Sequence, residues 1–310
     1  MAKELILKEG EVDARDIVPI NRQSFRDKLQ AYLHKPFSFL LLILVAIATF
    51  ATAAVVVGIV IYVLWQGVPH LKPELFSWRW TIDNLSLMPS LINTLVISLI
   101  SLLLAGVIGI FAAIFMVEYA KSTNVFVKIV RMAAETLSGI PSIVYGIFGM
   151  MFFVDEDFLG MGFTLLGGAL TMTMMILPLI MRTTEEALLA VPDSFREGSF
   201  ALGAGKLRTI FVIILPSAIP GIVSGVILGF GRIVGETMAL VYTAGSAFNI
   251  RYPAGLMGQG CTLTVYMYSL ISEGSGYSNQ AWAIAVVLII LVVIINGAAE
   301  FIGNKLKKEY

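Results

Sequence analysis

The sequence predicts an all-helical protein with six membrane-spanning helices, and three observations indicate that fold class. The chain of 310 residues is 58% hydrophobic and only 14% charged, whereas ordinary soluble domains contain roughly 25% charged residues. The charges are also clustered, so that six long stretches contain none. These stretches lack the alternation typical of barrel strands, and a helix satisfies its own backbone hydrogen bonds in lipid.

Each uncharged stretch can hold about 20 apolar residues, which is the length that a helix needs to cross the hydrocarbon core. The stretches cover residues 36–71, 84–117, 136–154, 158–181, 209–231 and 274–299. We therefore predict a cytoplasmic N-terminal extension over residues 1–36, a transmembrane domain over 37–305 and a short cytoplasmic tail over 306–310. The first stretch is too long for a cleavable signal, so we expect it to remain in the mature protein.

Positive residues favour one side of this topology. Summed over alternate loops, Lys and Arg number 17 on one side and three on the other, and Arg232, directly after the fifth stretch, lies inside the fifth span. Because Lys and Arg concentrate in cytoplasmic loops, we expect both termini to face the cytoplasm. The net charge is zero, which gives no general attraction to nucleic acid.

The loops that we predict to be external contain two features typical of contact with a membrane. Trp78 and Trp80 are aromatic rings of the kind found at a membrane interface. A moderately apolar stretch over residues 262–271 is too short to cross, and we expect a re-entrant or interfacial segment there.

Gly139 and Pro141 in the third stretch predict a kink or a close helix contact.

A loop between the fourth and fifth spans, residues 182–216, is predicted to contain a short helix. Ser194 and Glu197 have the spacing of a capping box, and Gly203 stands where a left-handed residue would end the helix. We predict a helix over residues 195–202. Phe195 and Phe200 would be exposed on this helix. We expect them to pack either against the protein's own helix ends or against a partner.

The loop resembles that of ABC importer permeases. Their pattern is E-A-A, three residues, G, nine residues and I-x-L-P. Here the corresponding residues are Glu197, Gly198, Ser199, Gly203, Ile213, Leu215 and Pro216. The resemblance implies a type I, MetI-like permease fold in a plasma (inner) membrane, and it implies that the short helix couples to an ATPase. The residues assigned to coupling are Ser194, Phe195, Glu197, Gly198, Ser199, Phe200 and Gly203.

The family resemblance also implies partners, namely a second homologous permease and two ABC ATPase subunits. The sequence contains no G-x-x-x-x-G-K-[ST] phosphate-binding loop, and Gly205-Lys206 does not satisfy that pattern. We therefore expect no cofactor in this chain, with ATP and Mg²⁺ bound by the partner ATPase. The expected role is that of a transporter subunit and not of an enzyme.

Two charges lie inside the fifth span. Arg232 and Glu236 are one helical turn apart if the helix is continuous, and each costs about 2.5 to 3.5 kcal/mol at mid-bilayer. They form either a structural ion pair or an anion site in which Glu236 holds the guanidinium. Arg182, at the cytoplasmic end of the fourth span, is either a snorkelling end charge or a second cation for the anion. Glu135 lies one turn after Arg131, and we expect these two residues to form a pair within one helix.

A second resemblance concerns the substrate. The segment from Gly231 to Thr237 resembles the G-R-x-x-G-E-T motif of bacterial phosphate permeases of the PstA type, and residues 135–146, E-T-L-S-G-I-P-S-I-V-Y-G, resemble their third-span motif. The resemblance implies that Arg182, Arg232 and Glu236 serve phosphate translocation. It also implies an external phosphate-binding protein and a bacterial or archaeal plasma membrane.

Three alternatives stay open at this point. The loop motif alone fits an ABC importer for molybdate, sulfate or an organic nutrient. A proton-coupled secondary carrier could use Glu236 as its proton site, although no internal repeat supports it. A membrane-embedded enzyme would need a nucleophile with a base or a metal-ligand cluster, and the sequence offers neither pattern.

Overall fold

The computed structural model describes residues 36–81, 83–120, 124–247, 255–274 and 277–306. Within these ranges the regular elements are helical. They are α1 (Pro36–Gly67), α2 (Met88–Ile114), α3 (Val125–Ser138), α4 (Ser142–Gly149), α5 (Leu165–Leu189), α6 (Asp193–Ala201), α7 (Lys206–Thr209), α8 (Leu215–Val234), α9 (Met238–Val241), α10 (Leu263–Ser272) and α11 (Ser278–Leu306).

Wide π-helical turns lengthen several helices. Phe115–Tyr119 extends α2, Met150–Val154 extends α4, and Ile210–Ile214 joins α7 to α8. Such turns are uncommon and often occur at functional sites. Two of them lie next to the loop that contains α6.

Five helical stretches in the described ranges are long and apolar enough to cross a membrane, and the number is six if a sharply bent pair counts as one span. The five are Phe37–His70, Met88–Tyr119, Leu165–Leu189, Lys206–Val234 and Ser278–Gly303. The prediction of an all-helical polytopic chain is confirmed.

The bent pair corresponds to the third predicted stretch, but its boundaries differ from the sequence prediction. Val125–Ser138 and Ser142–Val154 meet at 103°, so the helix of the predicted third stretch begins at Ser142 and not at residue 136. Pro141 explains the break, because it has no amide hydrogen and disfavours a helical backbone at the residue before it.

The chain divides into two units, residues 1–62 and residues 63–310. The described part of the first unit is most of α1, whose large apolar side chains, such as Val45 and Phe50, are exposed along its length. A surface of this kind suits contact with lipid.

In the second unit, α5 lies at the centre of the packing. Met172, Ile176 and Ile180 on α5 are fully buried, and α5 contacts both α2 and α8. A Cβ atom on Gly225 of α8 would overlap Thr183. Glycine therefore allows α8 and α5 to approach closely, as small residues do between membrane helices.

The described external segments pack around α10. The short apolar stretch over residues 262–271 forms most of α10, and its expected re-entrant or interfacial position in a membrane stays a prediction. Trp78 is exposed, whereas the Trp80 indole donates to the Tyr266 hydroxyl at 3.1 Å. That hydroxyl donates in turn to the Leu85 carbonyl at 2.9 Å. The loop is thus anchored to α10.

Candidate coupling helix and translocation site

Helix α6 begins earlier than the sequence predicted. It spans Asp193–Ala201, Pro192 stands at the N-cap and no side chain caps the helix. The Pro192 carbonyl already accepts a hydrogen bond from the Phe195 backbone amide at 3.1 Å. Ser194 therefore lies inside the first turn, and the predicted capping box with Glu197 is wrong. Asp193 instead places a negative charge at the helix start, where the helix dipole favours it.

The end of α6 agrees with the prediction. Gly203 has a φ of +81°, and its amide donates to the Phe200 carbonyl at 2.9 Å. The Ala204 amide donates to the Ser199 carbonyl at 3.1 Å. This pair of bonds is the Schellman arrangement, which requires a left-handed residue. Gly203 therefore terminates the helix.

Arg196 attaches α6 to the ends of two spans. Two of its nitrogens donate to Glu118 Oε1 at 2.8 and 3.1 Å. Nη1 donates to Asp193 Oδ1 and to the Val191 carbonyl, and Nη2 donates also to the Leu188 carbonyl, each at 2.9 Å. The Arg196 and Glu118 side chains are only 16% and 9% exposed. Sequence reasoning missed this ion pair, although the position of Glu118 directly after the second uncharged stretch was a possible signal.

Further contacts hold the same face of α6. Ser199 is buried, and its hydroxyl lies 2.8 Å from the Thr209 hydroxyl. Farther along the loop, the Lys206 ammonium lies 4.7 Å from the centre of the Tyr119 ring, a cation–π contact. The loop therefore contacts the end of α2 at two places, Glu118 and Tyr119.

The opposite side of α6 and its C-terminal end are exposed. Glu197 and Gly198 lie at the surface, as do the large apolar side chains Phe195, Phe200 and Leu202, the last with 91% of its surface exposed. Solvent-facing aromatic and aliphatic side chains on one short helix are typical of a docking surface.

The Arg232–Glu236 ion pair expected from the sequence is absent. Helix α8 ends at Val234 and Gly235 is its C-cap, so Glu236 lies beyond the helix. Its Oε1 accepts from the Ala239 amide at 3.2 Å, and its carbonyl accepts from the Thr264 hydroxyl at 2.8 Å. Glu236 therefore holds the start of α9.

The segment after the break packs closely on α4. After Gly235 the chain turns into α9, and a Cβ atom on Gly146 of α4 would lie 2.7 Å from the Ala239 Cα atom. Only glycine permits this approach of α4 to α9. The tertiary contact therefore replaces a continuous helix.

Arg232 is half-buried near the end of α8. In the described ranges, no carboxylate lies within ion-pairing distance of its guanidinium. It interacts electrostatically with Tyr145 of α4, whose hydroxyl donates to the Leu137 carbonyl at 2.8 Å. An unpaired guanidinium in a spanning helix is costly in lipid and attracts an anion.

Arg182 has a different environment. It is exposed and pairs with Glu186 at 3.0 Å. It lines a cleft of about 280 Å³ between α3 and α5 that also contains Arg131 and Glu185. Arg131 pairs with Glu185 at 2.5 Å, so the expected pair of Arg131 with Glu135 on its own helix is wrong.

The two candidate arginines lie at different depths. Antiparallel contacts place Gly225 against Thr183 and Gly229 against Ile180. Continuing this register puts Arg232 level with about Ile176, which is roughly 9 Å along α5 from Arg182. Their backbone positions are therefore about two turns apart, and the convergence of both side chains on one anion stays a prediction.

Comparison with known proteins gives a consistent result. Residues 105–308 match the family described as binding-protein-dependent transport system inner membrane component. The probable ABC transporter permease protein YqgI of Bacillus subtilis is 33% identical over 272 residues, which are 83% of this chain and 92% of the relative. The phosphate transport system permease protein PstA 1 of Mycobacterium tuberculosis is 34% identical over 215 residues, which are 69% of each chain.

Solved structures show the same fold. A chain of the bacterial alginate ABC transporter matches with a TM-score of 0.63 at 14% identity, covering 89% of this chain and 98% of that chain. A chain of the MetNI methionine ABC transporter matches with a TM-score of 0.56 at 22% identity, covering 72% of this chain and 96% of that chain. The predicted MetI-like permease fold is confirmed. The chain thus belongs to the family of inner membrane components of binding-protein-dependent transport systems, as a permease of the PstA type.

Proposed function

We propose that this chain is one permease subunit of an ATP-driven importer of inorganic phosphate. It forms half of the translocation pathway in lipid, and a second homologous permease supplies the other half. Two ABC ATPase subunits bind ATP and Mg²⁺, and an external phosphate-binding protein delivers the substrate. The chain itself hydrolyses nothing. Support for phosphate comes from the relatives that are described as phosphate transport permeases.

The observation that carries the ATP-driven mechanism is the two-sided character of α6. One face is attached to the ends of α2 and α5 through Arg196, while Phe195 and Phe200 are exposed. A helix that is held rigidly by part of its surface and still exposes aromatic side chains suits the transfer of force from a docked partner. We assign the exposed side to the ATPase.

The substrate proposal depends on Arg232. A guanidinium offers several donors to an oxyanion, and Arg232 has no protein carboxylate to neutralise it in the described ranges. The Glu236 carboxylate accepts from the Ala239 amide at the start of α9. Its proposed role is therefore to fix the backbone near Arg232. Phosphate would pass Arg232 without any bond being broken, and Arg182 would meet it nearer the cytoplasm.

Transport would follow alternating access. Closure of the ATPase subunits pulls α6, which moves the spans attached to it. The break between α3 and α4, together with the break between α8 and α9, provides bends about which the pathway can reorient. Both termini would face the cytoplasm, on the same side as α6.

Uptake by the reconstituted complex tests this function. Proteoliposomes that contain both permeases, the ATPase and the binding protein should accumulate labelled phosphate. They should do so only when ATP is present on the side of the membrane where the ATPase subunits lie. Excess unlabelled phosphate should compete, and molybdate and sulfate should not. Competition by molybdate or sulfate in preference to phosphate would reject the substrate. Uptake that persists without the ATPase and collapses with the proton gradient would indicate a secondary carrier.

Cysteine crosslinking tests the docking of α6. Cys261 is buried, and burial raises the pKa of its thiol to about 12, so it stays protonated and unreactive at neutral pH. The variant Phe200→Cys therefore adds a single reactive thiol, which should crosslink to the ATPase. Ser199→Cys, on the buried face, is the matched control and should not react. Equal crosslinking of both, or of neither, would contradict the assigned face.

A further inference from the structure

The ion pair between Arg196 and Glu118 connects α6 to a span that is distant in sequence. Helix α6 follows α5 directly, whereas Glu118 lies 78 residues away from Arg196, in the π-helical turn that ends α2. We infer that this pair transmits the movement of α6 to α2, so that Arg196 and Glu118 are positioning residues for energy coupling. The inference rests on the function proposed above.

The geometry of the pair is that of a rigid attachment. Nε and one terminal nitrogen of Arg196 both donate to Glu118 Oε1, at 3.1 and 2.8 Å. Charge-assisted bonds of this kind restrict orientation as well as distance. Both side chains are largely buried, and removing one partner of a buried pair leaves the other charge uncompensated. The pair therefore resists separation when α6 is pulled.

The same guanidinium also attaches α5. Its terminal nitrogens donate to the Leu188 and Val191 carbonyls at 2.9 Å, which lie at the C-terminal end of that span. Arg196 thus holds the cytoplasmic ends of α2 and α5 together. These two helices also contact each other deeper in the core, where the Ser101 hydroxyl donates to the Ala169 carbonyl at 2.9 Å.

The covalent connections alone would transmit force less directly. On one side α6 is joined to α5 through residues 190–192, and on the other it is joined to α7 through residues 202–205, which include Gly203 and Gly205. Glycines allow a loop to change its backbone angles. Without the ion pair, this loop could absorb the motion of α6. With it, α2 and α5 move together with α6.

The test compares Glu118→Gln with Asp193→Asn in the complete reconstituted complex. Both variants remove a carboxylate that accepts from Arg196, but Asp193 is 85% exposed and lies on α6 itself. We expect Glu118→Gln to retain ATP hydrolysis while phosphate transported per ATP falls by roughly tenfold, which is within the usual range of coupling between sites. Asp193→Asn should keep the wild-type ratio, and Glu118→Asp should recover part of it.

Each other outcome overturns the inference. A wild-type ratio in Glu118→Gln would show that the pair does not transmit motion. Failure of Glu118→Gln to assemble with the ATPase, measured by co-purification, would assign the pair to folding alone. Equal loss in Asp193→Asn would show that any partner of Arg196 matters, and that α2 has no special role. A wild-type complex without ATP-dependent phosphate uptake would instead reject the proposed function, on which this inference rests.

Discussion

Arg196 and Arg232 are the same residue type in two regions that treat the guanidinium in opposite ways. Arg196, on α6, donates to two carboxylates and two backbone carbonyls. Arg232, near the end of α8, has no carboxylate within ion-pairing distance in the described ranges. A guanidinium whose donors are all used fixes structure, whereas one with free donors can bind a ligand.

This difference distinguishes the loop around α6, the mechanical part that we assign to energy coupling, from the region around Arg232, which we assign to the substrate. In the mechanical part, several contacts hold one short helix, so that no single contact can rearrange alone. Near Arg232, the helix breaks at Gly235 and the expected counter-ion, Glu236, is occupied elsewhere. Four substitutions test this separation, and they follow from the largest expected effect to the smallest.

Replacing the unpaired arginine should have the largest effect. Arg232→Gln removes the charge but keeps hydrogen-bonding groups, so phosphate loses its charge-assisted bonds. Loss of about 3 kcal/mol for such a bond corresponds to a decrease in uptake of roughly 100-fold. The measurement is labelled phosphate uptake at several concentrations, with co-purification of the ATPase as the assembly check.

Arg232→Lys is the matched control, because it keeps the positive charge and loses the planar donor arrangement. It should retain more uptake than Arg232→Gln. Uptake at near-normal affinity in Arg232→Gln would make the arginine structural, and the contrast with Arg196 would disappear.

The second substitution disturbs the mechanical region. Gly203 has a φ of +81°, and a Cβ atom there would meet no neighbour within 4 Å. Gly203→Val therefore causes backbone strain without a clash, at a cost of roughly 1 to 2 kcal/mol. Because the strain shifts the end of α6, phosphate transported per ATP should fall by about five- to tenfold.

Gly203→Asn separates strain from side-chain size, since Asn adopts the left-handed conformation more readily than Val. It should lie between wild type and Gly203→Val in transport per ATP. A normal ratio in Gly203→Val would mean that the Schellman end of α6 has no part in coupling.

Much of the fold followed from local sequence. Hydropathy located the spans because a bilayer imposes the same requirement on every crossing segment. The end of α6 at Gly203 was equally local, because a left-handed residue is needed there. A kink was expected at Gly139 and Pro141, and the chain bends there by 103°. The helix boundary was misplaced because it was set by the last charged residue and not by Pro141.

The errors concern contacts between distant segments. Sequence reasoning paired Arg131 with Glu135 and Arg232 with Glu236, each one turn away. In the structure Arg131 pairs with Glu185 on α5, and Glu236 has left the helix. The Arg196–Glu118 pair was missed for the same reason, since its partners are 78 residues apart. One sequence identifies which charges need partners, but the packing of the helices decides which partners they find.

Tyr145 tests how far the environment of Arg232 extends. Its hydroxyl donates to the Leu137 carbonyl, and the residue interacts electrostatically with Arg232. Tyr145→Phe removes one neutral hydrogen bond to the backbone beside Arg232, worth about 0.5 to 1.5 kcal/mol, so the apparent affinity for phosphate should weaken by at most roughly tenfold. Concentration-dependent uptake measures it. Unchanged affinity would confine the anion site to Arg232.

The smallest effect should come from Gly198, which lies within α6 on its exposed side. A Cβ atom at this position would meet nothing within 4 Å, so alanine fits without rearrangement. Gly198→Ala should stabilise the helix by up to about 1 kcal/mol, because alanine loses less backbone entropy than glycine on folding. Hydrogen–deuterium exchange of the α6 amides should then slow by up to about fivefold. Exchange that is faster than in wild type would mean that Gly198 needs a conformation that alanine cannot adopt, and α6 would then be less rigidly held than its contacts through Arg196 indicate.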